Sequence, residues 1–388
     1  MSIIIDGNSG ISTAGGTPIV NTTSNPTALG TVTSITSIGN VSVTAAGYGI
    51  AFPDASLQTT VGYTGFRNRI INGGFLIDQR NSGASTTPTV DATYTLDRWQ
   101  VSLSQASKFS IQQNAGSVTP PTGYKNYAGI TSLSAYAVLA TDYFMLNQPV
   151  EGLNVWDLGW GAAGAAPVTL SFWVRSSLTG TFGGAVQNSA QNRSYPYSYT
   201  INSANTWEFK TIVIPGDTTG TWLTTNGVGL FVRFALGVGA NFSGTAGAWA
   251  GSQLFSATGA TSVVGTNGAT FYITGVQLEK GSVATPFEFR QFGTELVLCQ
   301  RYYQQYASGQ GAIFRGLPQT LTSGVTFAWM PFLVVKRAAP TMSVGTPSYS
   351  NMSTAIWYNI TLDGAEISLT VTGTNSYAFI PWTASSEL

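Results

Sequence analysis

The sequence predicts an all-β chain in four parts. These are a short N-terminal trimeric β shaft (1–66), a central jelly-roll-like β-sandwich (67–290), one short linking helix (291–305) and a C-terminal β tip domain (306–388). Three observations carry this expectation. Apolar residues alternate with polar ones over short runs, the period of a half-buried strand. Asn-Gly and Asp-Gly pairs punctuate the runs and supply the positive φ angles that tight hairpins need. A single stretch shows helical spacing of its apolar residues.

The N-terminal part contains no Lys or Arg, the first basic residue being Arg67. Short β-prone pieces recur in it, Gly30-Thr31-Val32-Thr33-Ser34-Ile35-Thr36 and Gly39-Asn40-Val41-Ser42-Val43-Thr44. Each is too short and too poor in apolar residues to bury a core alone. Three chains wound together could share one thin core, so an intertwined trimeric shaft is expected. A flexible Gly/Ser/Thr linker is the alternative, but the alternating Val and Ile favour strands.

The middle part reads as an antiparallel sandwich. Leu170, Phe172 and Val174 share one strand face; Trp207, Phe209, Thr211 and Val213 share the next; Leu230, Val232, Phe234 and Leu236 repeat the pattern, and Phe271 and Ile273 follow. Pro215-Gly216-Asp217, Asn226-Gly227 and Asn267-Gly268 separate these runs. Strands at this spacing suit a jelly roll or a related sandwich. Leu296, Cys299, Tyr302 and Tyr303 predict a helix from about Thr294 to Gln305, with Thr294 as its cap. Beyond it, Val325, Phe327 and Trp329 alternate. Ile356, Tyr358, Ile360 and Leu362 then run into Asp363-Gly364, and Ile367, Leu369 and Val371 run out, the strongest hairpin signal in the chain. Ser376 to Trp382 reads as a closing strand, which Pro381 assigns to a sheet edge.

Composition narrows the chemistry. The chain has no histidine, one cysteine (Cys299) and 8% charged residues. Without imidazole, no His-based triad or metal site can form, and no Asp-x-Asp run offers a calcium loop. No catalytic residue, metal site or cofactor is expected. Cys299 reads as a small buried residue of the helix. Lys+Arg and Asp+Glu both number 16, so nothing points to phosphate neutralisation or to nucleic acid. The run at 161–166 lacks the Lys-Ser/Thr of a phosphate loop. No stretch reaches the ~20 apolar residues of a membrane span. Met1–Asp6 lacks a secretory signal's basic run, so synthesis in a cytosol is expected. A hydrolase would need two carboxyls facing each other across a sugar; Glu208 with Asp217, or Asp142 with Glu151, are the pairs folding could bring together.

Aromatic residues are the better lead, at 12% of the chain. Sugars present apolar C–H faces, which stack on aromatic rings, and hydroxyl edges, which amides and guanidinium groups bind. The glycan-binding candidates are Tyr195, Tyr197 and Tyr199 on one strand face, the neighbouring Arg193, Trp249 in a Gly/Ala/Ser loop, and Tyr349, Trp357 and Tyr377 in the last part.

Several stretches resemble bacteriophage tail fibres. Ile50-Ala51-Phe52-Pro53-Asp54-Ala55-Ser56-Leu57-Gln58-Thr59-Thr60 is similar to a short signature of those proteins. Arg67-Asn68-Arg69-Ile70-Ile71-Asn72-Gly73-Gly74-Phe75 with Ile77-Asp78-Gln79-Arg80 resembles the opening of many tail-fibre modules, and Leu96-Asp97-Arg98-Trp99 the motif that follows it. Gly275-Val276-Gln277-Leu278-Glu279-Lys280-Gly281, then Thr285-Pro286-Phe287-Glu288 and Cys299-Gln300-Arg301-Tyr302-Tyr303, resemble the module's end. The likeness spans roughly 50–305. It implies a homotrimeric fibre in the virion tail, held to a tail or baseplate protein by its N-terminus with its C-terminus outward, so the last part is the expected contact with host surface polysaccharide. The middle module also resembles, more loosely, the jelly rolls of carbohydrate-binding modules. A glycan depolymerase tailspike and an architectural collar, head-fibre or baseplate component are the alternatives.

Overall fold

A computed structural model describes residues 66–306, 324–374 and 376–388 in full; of the rest, only short strands are described. The chain divides into two units, Met1–Gly62 and Tyr63–Leu388. In the first, Ile3–Asp6, Gly10–Thr13 and Pro18–Val20 form an antiparallel sheet, and Ile50–Ala51 pairs with Leu57–Gln58. The expected shaft pieces at 30–36 and 39–44 lie outside the described residues, and so does Phe52–Ser56 of the tail-fibre signature.

The second unit is built on a jelly-roll-like sandwich of two antiparallel sheets. One has six strands in the spatial order Ser194–Ile201, Gly180–Asn188, Val228–Val238, Tyr143–Glu151, Trp99–Leu103 and Thr93–Leu96. The other has five: Glu208–Ile214, Val168–Ser176, Thr270–Lys280, Ala128–Ser132 and Phe109–Gln113. The alternation seen in the sequence sorts side chains between the two faces of each sheet. Leu170, Phe172 and Val174 meet Leu230, Val232, Phe234 and Leu236 in the core between the sheets, all fully buried. The shared face of Phe209 and Val213 instead turns to solvent, because register puts it on the outer face of the five-stranded sheet, opposite the face that buries Ile214.

The sandwich is closed by its own first and last segments. Asn68 donates from Nδ2 to the Val276 carbonyl at 3.1 Å and accepts the Leu278 N–H at 3.0 Å. Val276 N–H donates to the Gly73 carbonyl at 2.9 Å. Glu288 accepts the N–H groups of Arg67 and Asn68, and Arg290 donates to the carbonyls of Asn68 and Ile70. Gln148 accepts the Ile71 N–H and donates to its carbonyl, at 2.9 and 2.8 Å. A Cβ on Gly73 would lie 2.1 Å from the Val276 oxygen, so the opening segment can approach this closely only as glycine. Asp97 and Arg98 form the turn between Thr93–Leu96 and Trp99–Leu103, with Arg98 at φ 68. Trp99, fully buried, stacks on Phe75 at 4.8 Å and donates to the Asn72 carbonyl.

One helix, Phe292–Gln300, follows. It is shorter than its apolar spacing predicts: Tyr303 pairs with Ser385 and begins strand Tyr303–Tyr306. Gln291 stands at the N-cap and Thr294 lies within the first turn, so Thr294 does not cap it. Cys299 and Tyr302 are buried against Ile71 and Ile77, and burial raises the Cys299 thiol well above its usual pKa. Three small sheets make up the remainder. Gly364–Val371 lies between Gly324–Pro331 and Met352–Tyr358. The two strands of the expected hairpin pair, but the first ends at Tyr358, so Ile360 and Leu362 lie in a loop longer than a tight Asp363-Gly364 turn. The closing strand is two strands, Tyr377–Ile380 and Trp382–Ser385, each central in its own sheet. Pro381 is therefore not at an edge. It has no N–H to give a ladder, and it marks where the chain passes from one sheet to the next.

Side chains also join these parts. Arg98, buried, meets Glu387, and Arg80 reaches the same carboxylate at 2.8 Å. Asp97 accepts the Gln79 N–H and side-chain amide, each at 2.6 Å.

Two measurements check this account. Gly73→Ala should destabilise the protein by on the order of 3 kcal/mol, because backbone must move. Gly74→Ala, whose Cβ would meet only the Phe287 ring at 3.8 Å, should be tolerated; urea unfolding of the two variants makes the comparison. The second concerns Asp97. Burial, opposed by Arg80 and the Gln79 hydrogen bonds, raises its pKa from 3.8 to about 6. Its contribution to stability is full below 3.8 and lost as pH rises through about 6. Between pH 4 and 7.5 the wild type should lose about 2–3 kcal/mol relative to Asp97→Asn; parallel pH profiles would contradict this.

Candidate functional site

The outer face of the six-stranded sheet carries the most distinctive chemistry. Strand register aligns Gln100, Asn147, Arg233 and Ala185 in one row across four strands. Gln187 stands opposite Phe231 in the next row. Outward positions on a sheet are ordinarily wet, but segments of the 240–255 connection and Asp91 fold over these, leaving Gln100, Asn147, Gln187 and Arg233 buried. Asn147 donates to the Gln100 side-chain oxygen at 2.7 Å. The Asn147 Oδ1, both polar atoms of the Gln187 amide and the Arg233 Nε have no partner among the described residues. Buried polar atoms are normally satisfied.

Above this row opens a cavity of about 480 Å³, within the ~300–1,000 Å³ range of small-molecule sites. Its walls include Tyr143, Phe231, Phe242 and Phe255. Phe242 and Phe255 stack at 5.0 Å, and Tyr143 meets both edge-on. The Arg233 guanidinium lies 4.3 Å from the Phe231 ring centre and 5.0 Å from that of Phe255. Among the described residues its side chain makes one hydrogen bond, from Nη1 to the Met145 sulfur at 3.5 Å. Burial pushes Arg233 down to about 9, against the opposing charge of Asp91, so it stays protonated at neutral pH. Asp91 accepts the Leu103 N–H at 2.9 Å and the Tyr143 hydroxyl at 3.0 Å. Gln253, Gln191 and Leu388 complete the rim.

The residues singled out in the sequence lie elsewhere. Tyr195, Tyr197 and Tyr199 do share one strand face, but it is the inner one. All three are buried in the sandwich core, where Tyr199 meets Phe172 at 5.0 Å and Tyr197 donates to the Arg233 carbonyl at 2.6 Å. None presents a ring face to solvent, since the neighbouring strands place the opposite sheet above them. Arg193 forms a two-pronged ion pair with Asp217, at 2.8 and 2.6 Å. Burial works to raise the Asp217 pKa, but the hydrogen bonds and charge of Arg193 outweigh it and hold the carboxyl below its usual range. Trp249 is half-buried in an edge-to-face cluster with Trp160, Trp222 and Tyr195, and its N–H donates to the Pro215 carbonyl. Tyr349 and Trp357 pack on the small C-terminal core, while Tyr377 is 47% exposed.

The carboxylate pairs are likewise engaged. Glu208 holds Lys210 and two backbone N–H groups, and Glu151 holds Arg301 and Tyr302. Asp142 accepts from Tyr136, Ser104 and the Leu139 N–H. Sequence reasoning missed the cleft. Gln100, Asn147 and Arg233 each sit alone among strand residues, and only register across three strands puts them in line. The one available signal was a charged residue inside the apolar run 230–236.

No protein-family model matches the chain, and no curated protein matches it. Solved structures do. The enzymatically active domain of tailspike protein 4 from bacteriophage CBA120 aligns with 55% of this chain and 21% of its own, at 12% identity and a TM-score of 0.32. TmCBM61, solved with β-1,4-galactotriose, aligns with 55% of this chain and 99% of its own, at 13% identity and a TM-score of 0.28. The family 11 carbohydrate-binding module from Clostridium thermocellum, solved with a mixed-linked tetrasaccharide, aligns with 52% and 98%, at 13% identity and a TM-score of 0.26. This chain thus spans 21% of the tailspike chain.

Proposed function

We propose that the chain is a receptor-binding fibre of a bacteriophage tail, a homotrimer held to the tail or baseplate by its N-terminal part. It binds host surface polysaccharide in the cleft on the outer face of the six-stranded sheet. One observation carries the binding site: Gln100 and Arg233 line an aromatic-walled cavity, and in the same buried row the Arg233 Nε and the Asn147 Oδ1 have no partner among the described residues. Sugar hydroxyls fill such groups, and sugar C–H faces lie against such rings. The tail-fibre motifs support the virion role, and the structure gives them a physical reason, since the opening and closing motifs bind each other. The cleft replaces the C-terminal part as the favoured contact, because Tyr349 and Trp357 are committed to packing.

The chain binds rather than cuts. Among the described residues Asp91 is the one acidic side chain lining the cleft, whereas glycoside hydrolysis ordinarily uses two carboxyls. Self-association is supported by the outer face of the C-terminal hairpin sheet. There Val325, Phe327, Trp329, Ile356 and Tyr358 are each 45–57% exposed side by side, the kind of patch that marks an interface. Three copies would multiply a weak sugar contact.

Affinity electrophoresis through gels containing host surface polysaccharide tests the site. The wild type should be retarded. Phe231→Ala and Gln100→Ala should weaken binding at least about tenfold, and Tyr377→Ala should leave it unchanged; retardation lost only in Tyr377→Ala would put the site on the C-terminal part. Light scattering on the full chain should give three copies. A monomer at micromolar concentration would remove the fibre reading.

A further inference from the structure

We infer that the cleft selects an acidic glycan, with the carboxylate of a sugar-acid residue seated on Arg233. This rests on the cleft being the polysaccharide site and goes beyond it by naming the ligand class. The argument begins with the cost of Arg233. It is 3% exposed, and burying a cation is unfavourable unless an anion meets it. Two other deeply buried arginines among the described residues have such an anion: Arg98 has Glu387, and Arg290 has Glu288 and Glu295. Arg233 has none within ion-pair distance among the described residues; a thioether sulfur is its single hydrogen-bond acceptor.

The nearest candidate, Asp91, is held back from the guanidinium. One of its oxygens is fixed by the Leu103 N–H and the other by the Tyr143 hydroxyl. Two aromatic rings flank the guanidinium plane and keep the group in place. Arg233 lines the cavity, and its buried Nε has no partner among the described residues. A guanidinium that lines a cavity with a thioether as its acceptor is matched by a carboxylate, which takes up its charge and its N–H groups together. A neutral sugar would satisfy the donors but leave the charge unmet. A simple anion would meet the charge but donate nothing to the unpartnered Asn147 Oδ1. A sugar acid supplies both, its carboxylate to Arg233 and its hydroxyls to Asp91 and to the Gln100–Asn147 pair.

The test compares acidic polysaccharides with their own neutral forms. Isothermal titration of the full chain would use oligogalacturonate, alginate and hyaluronan oligosaccharides, and host polysaccharide. Each would be measured before and after carbodiimide–borohydride reduction of its carboxyls to primary alcohols. Binding to at least one acidic form, weakened at least about tenfold by carboxyl reduction and by added salt, is expected. Arg233→Met should abolish the difference between the two forms, and Arg233→Lys should recover part of it. The reduction arm uses the wild type alone, so it holds even if a variant misfolds. Equal binding before and after reduction, with sensitivity to Phe231→Ala, would overturn this inference while leaving the polysaccharide site standing. Failure of the wild type to bind any form of the host polysaccharide would overturn both.

Discussion

The rest of the structure depends on how the sandwich closes on itself. The chain enters through Arg67–Phe75 and leaves through Gly275–Glu288, and these segments lie against each other. Asn68 bonds to both Val276 and Leu278, and Gly73 approaches the Val276 carbonyl more closely than any Cβ would allow. Gln148, holding both backbone groups of Ile71, ties this closure to strand Tyr143–Glu151. The next residue on that strand, Asn147, lies on the opposite face, in the row beneath the cleft. The register that aligns Gln100, Asn147 and Arg233 is thus anchored at the place where the module is shut. A one-residue slip of strand Tyr143–Glu151 would turn Asn147 inward and break the row.

The fold was largely legible in the sequence because strand alternation is a local signal. The runs at 170–174 and 230–236 were read correctly and are core. Which face of a strand meets water is not local. Tyr195, Tyr197 and Tyr199 alternate like a solvent-facing platform, and nothing in their own segment reveals that the five-stranded sheet covers them. The same limit explains Phe209 and Val213, apolar yet outward on an edge strand. Pro381 misled for a related reason: a proline between two short strands of different sheets looks, in sequence, like a proline within one edge strand. The helix was overextended because Tyr302 and Tyr303 keep helical spacing, while the pairing that ends the helix comes from Ser385, far along the chain.

The site was illegible for a stricter reason. Its chemistry is an unfilled capacity, and only a folded structure shows which polar groups lack partners. Low charge makes that capacity stand out. With 16 basic and 16 acidic residues in the chain, buried cations stand out by what receives their N–H groups: Arg98 meets Glu387, and Lys336 donates to the Gln300 carbonyl and the Gln304 side-chain oxygen. An arginine left among phenylalanines is then an exception with a location. The three-tryptophan cluster beside Arg193 lacks this property, since its N–H groups bond to the backbone carbonyls of Ala166, Thr219 and Pro215.

Hydrogen–deuterium exchange with and without host polysaccharide examines the central claim most directly, because it locates contact without altering the protein. Slowed exchange in strands Trp99–Leu103 and Val228–Val238 and in the 240–255 connection is the predicted outcome. Slowed exchange confined to 341–380, with the outer face of the six-stranded sheet unaffected, would contradict it.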